Sequence, residues 1–153
     1  MDQKVCCVTG PRDISDDKMD YVAKELRAEV AQAIKEEFTI FLSGFADGTD
    51  LLFAEVIVEE KSQHPELSLE AAIPYRNRLS AKDEKLQRLL ASCDKVYVQQ
   101  ERYAPNCLLN RNRYMVSRSQ RVIAVYDGRE RGGTAFSIRY ARIMNKDVHI
   151  IML

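Results

Sequence analysis

Residues 42–50 read LSGFADGTD, and the segments on either side of them decide the fold. Before them runs the apolar stretch Phe38–Leu42, which has strand character, and after them LLFAEVIVEE (51–60) reads as a helix. A serine, two glycines and two aspartates thus occupy a strand-to-helix corner, which is either a tight turn or a place where something binds. Outward from this corner the same alternation repeats. KVCCVTG (4–10) is a short β-rich run ending in glycine. Residues 16–37 carry Met19, Val22, Ala23, Leu26, Val30, Ala33 and Ile34 at a helical period, with Ser15 or Asp16 placed as a cap and acids in the first turn. Strands are expected at 38–42, 67–73, 95–99, 121–127 and 147–152, and helices at about 48–62, 80–91, 108–118 and 134–145, with 102–107 as a loop.

Strict alternation of β and α units implies a mostly parallel sheet with helices on both faces, a single Rossmann-like α/β domain spanning 1–153. No Pro- or Ser-rich linker, repeat or low-complexity tract divides the chain. Its 153 residues suffice to bury roughly two thirds of the unfolded surface. The apolar runs 121–126 and 148–153 suit central or well-covered strand positions. The 46% hydrophobic and 30% charged content is that of an ordinary globular protein, and no apolar run nears the roughly 20 residues that span a bilayer. MDQKVCCVTG lacks a signal-peptide pattern, so a cytoplasmic location with no membrane association is expected.

Cys6 and Cys7 are strand neighbours pointing to opposite faces, and Cys93 and Cys107 stand alone, so four reduced packing thiols are expected and no metal site. His149, inside the apolar run VHIIML, reads as structural. Charge is uneven: residues 1–101 hold 13 Lys+Arg against 20 Asp+Glu, and 102–153 hold 10 against 3, nine of those ten cations being arginine. Intermixed helices would make this ordinary solvated surface. Alternatively the arginines line an anion site, since their planar fork suits phosphate. Overall neutrality speaks against nonspecific duplex binding, which depends on many phosphate contacts.

In an open parallel sheet, ligands bind beyond the carboxyl ends of the strands. The segments there are TGPRD (9–13), SGFADGTD (43–50), PYRNR (74–78), QQERYAPN (99–106) and DGRERGGT (127–134). Glycines before a helix expose free N–H groups at the positive end of the helix dipole, a phosphate cradle. Neither glycine loop matches G-x-G-x-x-G or G-x-x-x-x-G-K-[ST]. As turns, they would have Asp47 and Thr134 as N-caps, with Asp50 closing a capping-box-like pair. A carboxylate at a helix N-terminus repels phosphate, so Asp47 or Asp50 would cap the helix or accept from ribose hydroxyls, leaving phosphate to the 127–134 loop and an arginine.

VTGPR, SGFADGTDLLFAE, IPY, CDKVYV, RNRYMV and VIAVYDGRERGGTAFSIRYA together resemble, in order and spacing, the YpsA-like family of the SLOG superfamily, which also holds the DNA-processing protein DprA and the LOG cytokinin-activating hydrolases. The resemblance covers nearly the whole chain. It implies a Rossmann-like fold and a pocket for a nucleotide-derived ligand, a small phosphate-bearing molecule, with no certain cofactor and no metal. It marks Thr9, Gly10 and Arg12; Ser43, Gly44, Gly48, Asp50 and Glu55; Pro74; Arg111 and Asn112; and Asp127, Gly132, Gly133 and Thr134. Three positions depart from the family pattern: Pro11 where His is usual, Phe45 where a second Gly is usual, and Ser117 where Asp is common.

Three functions follow as expectations. The main one is a nucleotide-binding or sensing domain without chemistry of its own; a protein partner and a homo-oligomer are left open. The second is a LOG-like hydrolase of the N-glycosidic bond, which needs a carboxylate beside the anomeric carbon. The LOG-type motif G-G-x-G-T-x-x-E would put it at position 137, where this chain has Ser137, leaving Glu55 or Asp50 as substitutes. The third is DprA-like single-stranded DNA binding through NRNRYMVSRSQR (110–121), whose arginines read rather as a solvated or ligand-facing rim; nucleic acid is the weakest reading.

Overall fold

The computed structural model describes residues 3–153. Six strands form one sheet, β1 (Lys4–Thr9), β2 (Phe38–Ser43), β3 (Ser68–Ile73), β4 (Lys95–Val98), β5 (Arg121–Tyr126) and β6 (Asp147–Met152). Their spatial order is β4-β3-β2-β1-β5-β6, and every neighbouring pair is parallel. Five helices connect them: α1 (Asp16–Lys35), α2 (Thr49–Lys61), α3 (Glu84–Ala91), α4 (Cys107–Arg118) and α5 (Gly133–Ile143). From β1 the chain steps outward to β4; α4 then carries it back to β5, on the other side of β1. The strand order therefore reverses between β1 and β5, which is where a sheet of this kind opens a crevice.

The two-residue period of β1 sorts the core into two layers. Cys6 and Val8 face α1, α2 and α3, packing with Leu26, Phe41, Phe53, Ile57, Leu69 and Leu86. Val5 and Cys7 face α4 and α5, packing with Ile40, Leu42, Met115, Val116, Val122 and Ala141. All four cysteines are free thiols, and burial pushes Cys7 up to about 12, far from thiolate chemistry.

The structure corrects the sequence expectations in four places. α1 stops at Lys35, because Glu37 turns left-handed with φ 70°. α3 begins only at Glu84: Arg76–Ser80 forms a 3-10 turn, and Asp83 caps the helix by accepting from the amides of Lys85 and Leu86 at 2.9 and 3.3 Å. β6 is an edge strand, and in it only Ile151 is buried, so its apolar run does not mark a central position. Neither Asp47 nor Thr134 is an N-cap; Gly48 and Gly132 hold those positions, and no side chain caps either end.

Candidate functional site

Beyond the carboxyl ends of β1 and β5, at the reversal of strand order, lies a cleft of about 390 Å³. Of the residues singled out in the sequence, Thr9, Gly10, Arg12, Asp50, Arg111, Asn112, Asp127, Gly132, Gly133 and Thr134 line it. Gly44 and Pro74 line a smaller adjoining recess of about 110 Å³, which Arg12 and Arg111 also border. Ser43 and Gly48 line neither space. Glu55 stands apart: its carboxylate pairs with Lys85 at 3.0 Å and Arg88 at 3.8 Å, bridging α2 to α3.

The two glycine loops do different jobs. In the 43–50 loop the polar groups are already occupied. The Thr49 amide and hydroxyl both donate to the Pro11 carbonyl, at 3.2 and 3.0 Å. The Ser43 hydroxyl donates to the Asp50 carbonyl at 2.9 Å and accepts from the Phe45 amide, and the Asp50 carboxylate accepts from the Ala46 amide. Its glycines are there for packing. A Cβ on Gly48 would lie 2.3 Å from the Arg12 carbonyl oxygen, and Gly48 also has φ 75°; one on Gly44 would lie 2.8 Å from the Arg111 guanidinium, and one on Gly10, in the facing 9–13 loop, 2.4 Å from the Thr49 hydroxyl. Phe45 explains the departure from the family pattern: it has φ 55° while its ring is fully buried, so the left-handed backbone that glycine usually serves is kept at the cost of strain.

The 127–134 loop is open instead. Tyr126 donates to the Arg129 carbonyl and Arg139 to that of Glu130, which brace the loop from below. Asp127 accepts from the Arg129 amide and guanidinium, which hold its carboxyl below the usual range and offset its charge. Gly132 has φ 105°, and nothing but the Arg129 side chain, at 3.9 Å, lies near its missing Cβ. At Gly133 the nearest atom is the Asn112 amide nitrogen at 3.3 Å. α5 therefore presents its uncapped N-terminal amides to the cleft, with their unpaired donors and the positive end of its dipole. Arg12 and Arg131 border the same space, and among the described residues neither pairs with a carboxylate.

Most arginines of α4 and just beyond it are held by protein partners. Arg111 is buried and donates to the carbonyls of Gly44 at 2.6 Å and Ala72 at 3.1 Å, tying the ends of β2 and β3 together. Asp50 is buried beside it, and burial raises its carboxyl above the ordinary value despite the nearby guanidinium. Arg118 pairs with Glu70, and the buried Arg121 with Glu36 and Asp147 at 2.8 Å each. Only Arg113 faces outward, over the Phe136 ring.

Arg131, Leu108 and Pro105 complete the cleft without having been singled out in the sequence. Arg131 had a legible signal, a cation directly before a glycine pair in a loop that follows a strand. Pro105 lies in the 99–106 segment placed beyond the strand ends, whereas Leu108 had no signal, because which face of α4 meets the cleft depends on how the helix crosses the sheet.

Among the described residues no helix is long and apolar enough to cross a membrane, and no three His, Cys, Asp or Glu residues are grouped to hold a metal. In sequence the chain is 28% identical over 124 residues to the uncharacterized SPbeta prophage-derived protein YoqJ of Bacillus subtilis, covering 71% of this chain and 72% of that protein. It is 25% identical over 128 residues to UPF0398 protein BH1768 of Halalkalibacterium halodurans, covering 80% and 68%. Its fold is similar to that of the single-stranded-DNA-binding DNA processing protein A of Helicobacter pylori, with a TM-score of 0.70 at 17% identity. That match covers 96% of this chain but 64% of the other, so the chain spans less than two thirds of that protein. The fold is also similar to that of TM1055, with a TM-score of 0.61 at 16% identity over 95% of this chain and 72% of that one. The YpsA family model, described as the YspA SLOG family, matches residues 10–152, and the chain belongs to that family.

Proposed function

We propose that this protein binds a nucleotide or nucleotide derivative through its phosphate, in the cleft between the ends of β1 and β5. The observation that carries this reading is the uncapped N-terminus of α5, opened by Gly132 and Gly133 onto a concave site bordered by two arginines that have no carboxylate partner among the described residues. A phosphate there would accept from backbone amides and gain from the helix dipole, while Arg12 and Arg131 supply full charges. The volume is in the range of small-molecule sites. At the other loop, the Pro11 carbonyl and Asp50 would repel the same anion.

Binding without glycosidic hydrolysis is favoured by where the carboxylates lie. Ser137 is buried and carries no charge, Glu55 is engaged with Lys85 and Arg88, and Asp127 is engaged with Arg129. Asp50 lines the cleft, but it is buried, and its carboxylate is engaged by the Ala46 amide and the neighbouring Arg111. Single-stranded DNA binding finds little footing in α4, where Arg111 and Arg118, together with Arg121 just beyond it, are bound to protein partners. The test is a thermal-shift panel of nucleoside monophosphates against the matching nucleosides, with chromatography for free base. Stabilisation by the phosphorylated members alone, without base release, is the expected result. Equal stabilisation by the nucleosides would sink the phosphate site, and base release lost in Asp50→Asn would make the protein an N-glycosidase.

A further inference from the structure

The smaller recess lies over the ends of β2 and β3 and adjoins the main cleft, with Arg12, Ala46, Leu108 and Arg111 bordering both. Its walls mix charged side chains, Arg12, Asp47, Arg78 and Arg111, with apolar ones. Pro74, Tyr75 and Leu108 supply apolar and aromatic surface. Arg78, on its rim, is fixed by donating to the Phe45 carbonyl from Nε at 3.2 Å and Nη2 at 2.7 Å. Next to Tyr75 stands Tyr103, in an edge-to-face pair with centroids 5.5 Å apart and planes at 89°. Tyr103 is 64% exposed, outside the lining of the recess itself.

Resting on the proposed phosphate site, we infer that this recess is the base-binding end of the same ligand, with Tyr75, held edge-to-face by Tyr103, as a stacking platform for a nucleobase. The perpendicular pair keeps both rings oriented, so a flat base can lie on an open face without first ordering a mobile side chain. A stacked base buries apolar area on the tyrosines, and aromatic–base stacking of this kind is tolerant of base identity because every base presents a π face. Arg12, shared by the two spaces, stands where the ligand would cross from phosphate to nucleoside. The ligand class is then a nucleoside 5′-phosphate rather than a bare sugar phosphate.

The experiment compares ribose 5-phosphate with each common nucleoside 5′-monophosphate by calorimetry on the wild type, Tyr103→Ala and Tyr75→Leu. In the wild type at least one nucleotide should bind roughly tenfold or more tighter than ribose 5-phosphate, the size of one base–aromatic stack. Tyr103→Ala, an exposed substitution that leaves the core untouched, should remove most of that advantage and leave ribose 5-phosphate binding unchanged. Ribose 5-phosphate binding as tightly as every nucleotide would overturn the base recess while leaving the phosphate site standing. So would a nucleotide advantage that survives in both variants. Failure of the wild type to bind any of these compounds would overturn both.

Discussion

Substituting valine for Gly133 should separate ligand binding from folding, because the structure gives that position room on the protein side only. Apart from its chain neighbours and its own helix, the atom nearest a new Cβ is the Asn112 amide nitrogen at 3.3 Å, a tight contact with the end of a side chain that can shift. Exchange of a glycine in the first turn of α5 should therefore change folding stability by no more than about 0.5 kcal/mol, as at other open positions. The valine methyls, by contrast, would fill the space through which a phosphate oxygen must come to within about 3 Å of the amides. A ligand at 100 times its dissociation constant stabilises the folded state by about 2.7 kcal/mol, which for a domain of this size raises the melting temperature by roughly 5–10 °C. In Gly133→Val that increment should vanish, while the melting temperature without ligand stays within about 2 °C of the wild type. The control is Gly48→Ala, where Cβ would come 2.3 Å from the Arg12 carbonyl oxygen at φ 75°. Overpacking and backbone strain together should cost about 3 kcal/mol or more there, lowering the melting temperature by roughly 6 °C or beyond. A Gly133→Val protein that melts as low as Gly48→Ala, or that still binds like the wild type, would refute the division of the glycines into packing and ligand-facing positions.

Arg111→Met should destabilise the fold by about 3–5 kcal/mol in urea denaturation, since it orphans the Gly44 and Ala72 carbonyls and leaves Asp50 buried without its neighbouring cation; lost binding at unchanged stability would instead make it a ligand contact. Phe45→Gly relieves about 1 kcal/mol of left-handed strain but empties a fully buried ring site worth about 3–5 kcal/mol, so a net loss of about 2–4 kcal/mol is expected, and a neutral or stabilising result would contradict the packing. Glu36 is held down to about 2, chiefly by its hydrogen bond from Arg121 and then by Gln32. Its folded form binds protons less readily than its unfolded form, so it contributes stability above its ordinary value of 4.5 that is lost as pH falls towards 2. Glu36→Gln should flatten that acid limb in urea midpoints taken from pH 6 to 2, and an unchanged limb would show that the Arg121 contact is not made in solution.

Much was legible in the chain alone because both periods, 3.6 and 2, are written in local order. The βα alternation, the parallel sheet, the opposite-facing Cys6 and Cys7, and the clustering of loops 9–13 and 127–134 beyond the strand ends all follow from spacing and composition. Ten of the residues the family resemblance marks line one cleft, because the loops that carry chemistry in such a sheet share one edge. The sequence could not divide those residues by role. Gly10, Gly48 and Gly133 look alike on paper, yet a Cβ would strike Thr49, the Arg12 backbone or almost nothing, depending on which segment crosses above each. Arg111 and Arg113 sit two apart on one helix, and only the crossing of α4 over the sheet buries the first under the ends of β2 and β3 and leaves the second in solvent. β6 reads as a core strand, and only strand order puts it at the edge. Local sequence specifies which element forms; how close two elements pass, and therefore which polar groups are consumed and which stay free for a ligand, is set by packing between parts of the chain far apart in sequence.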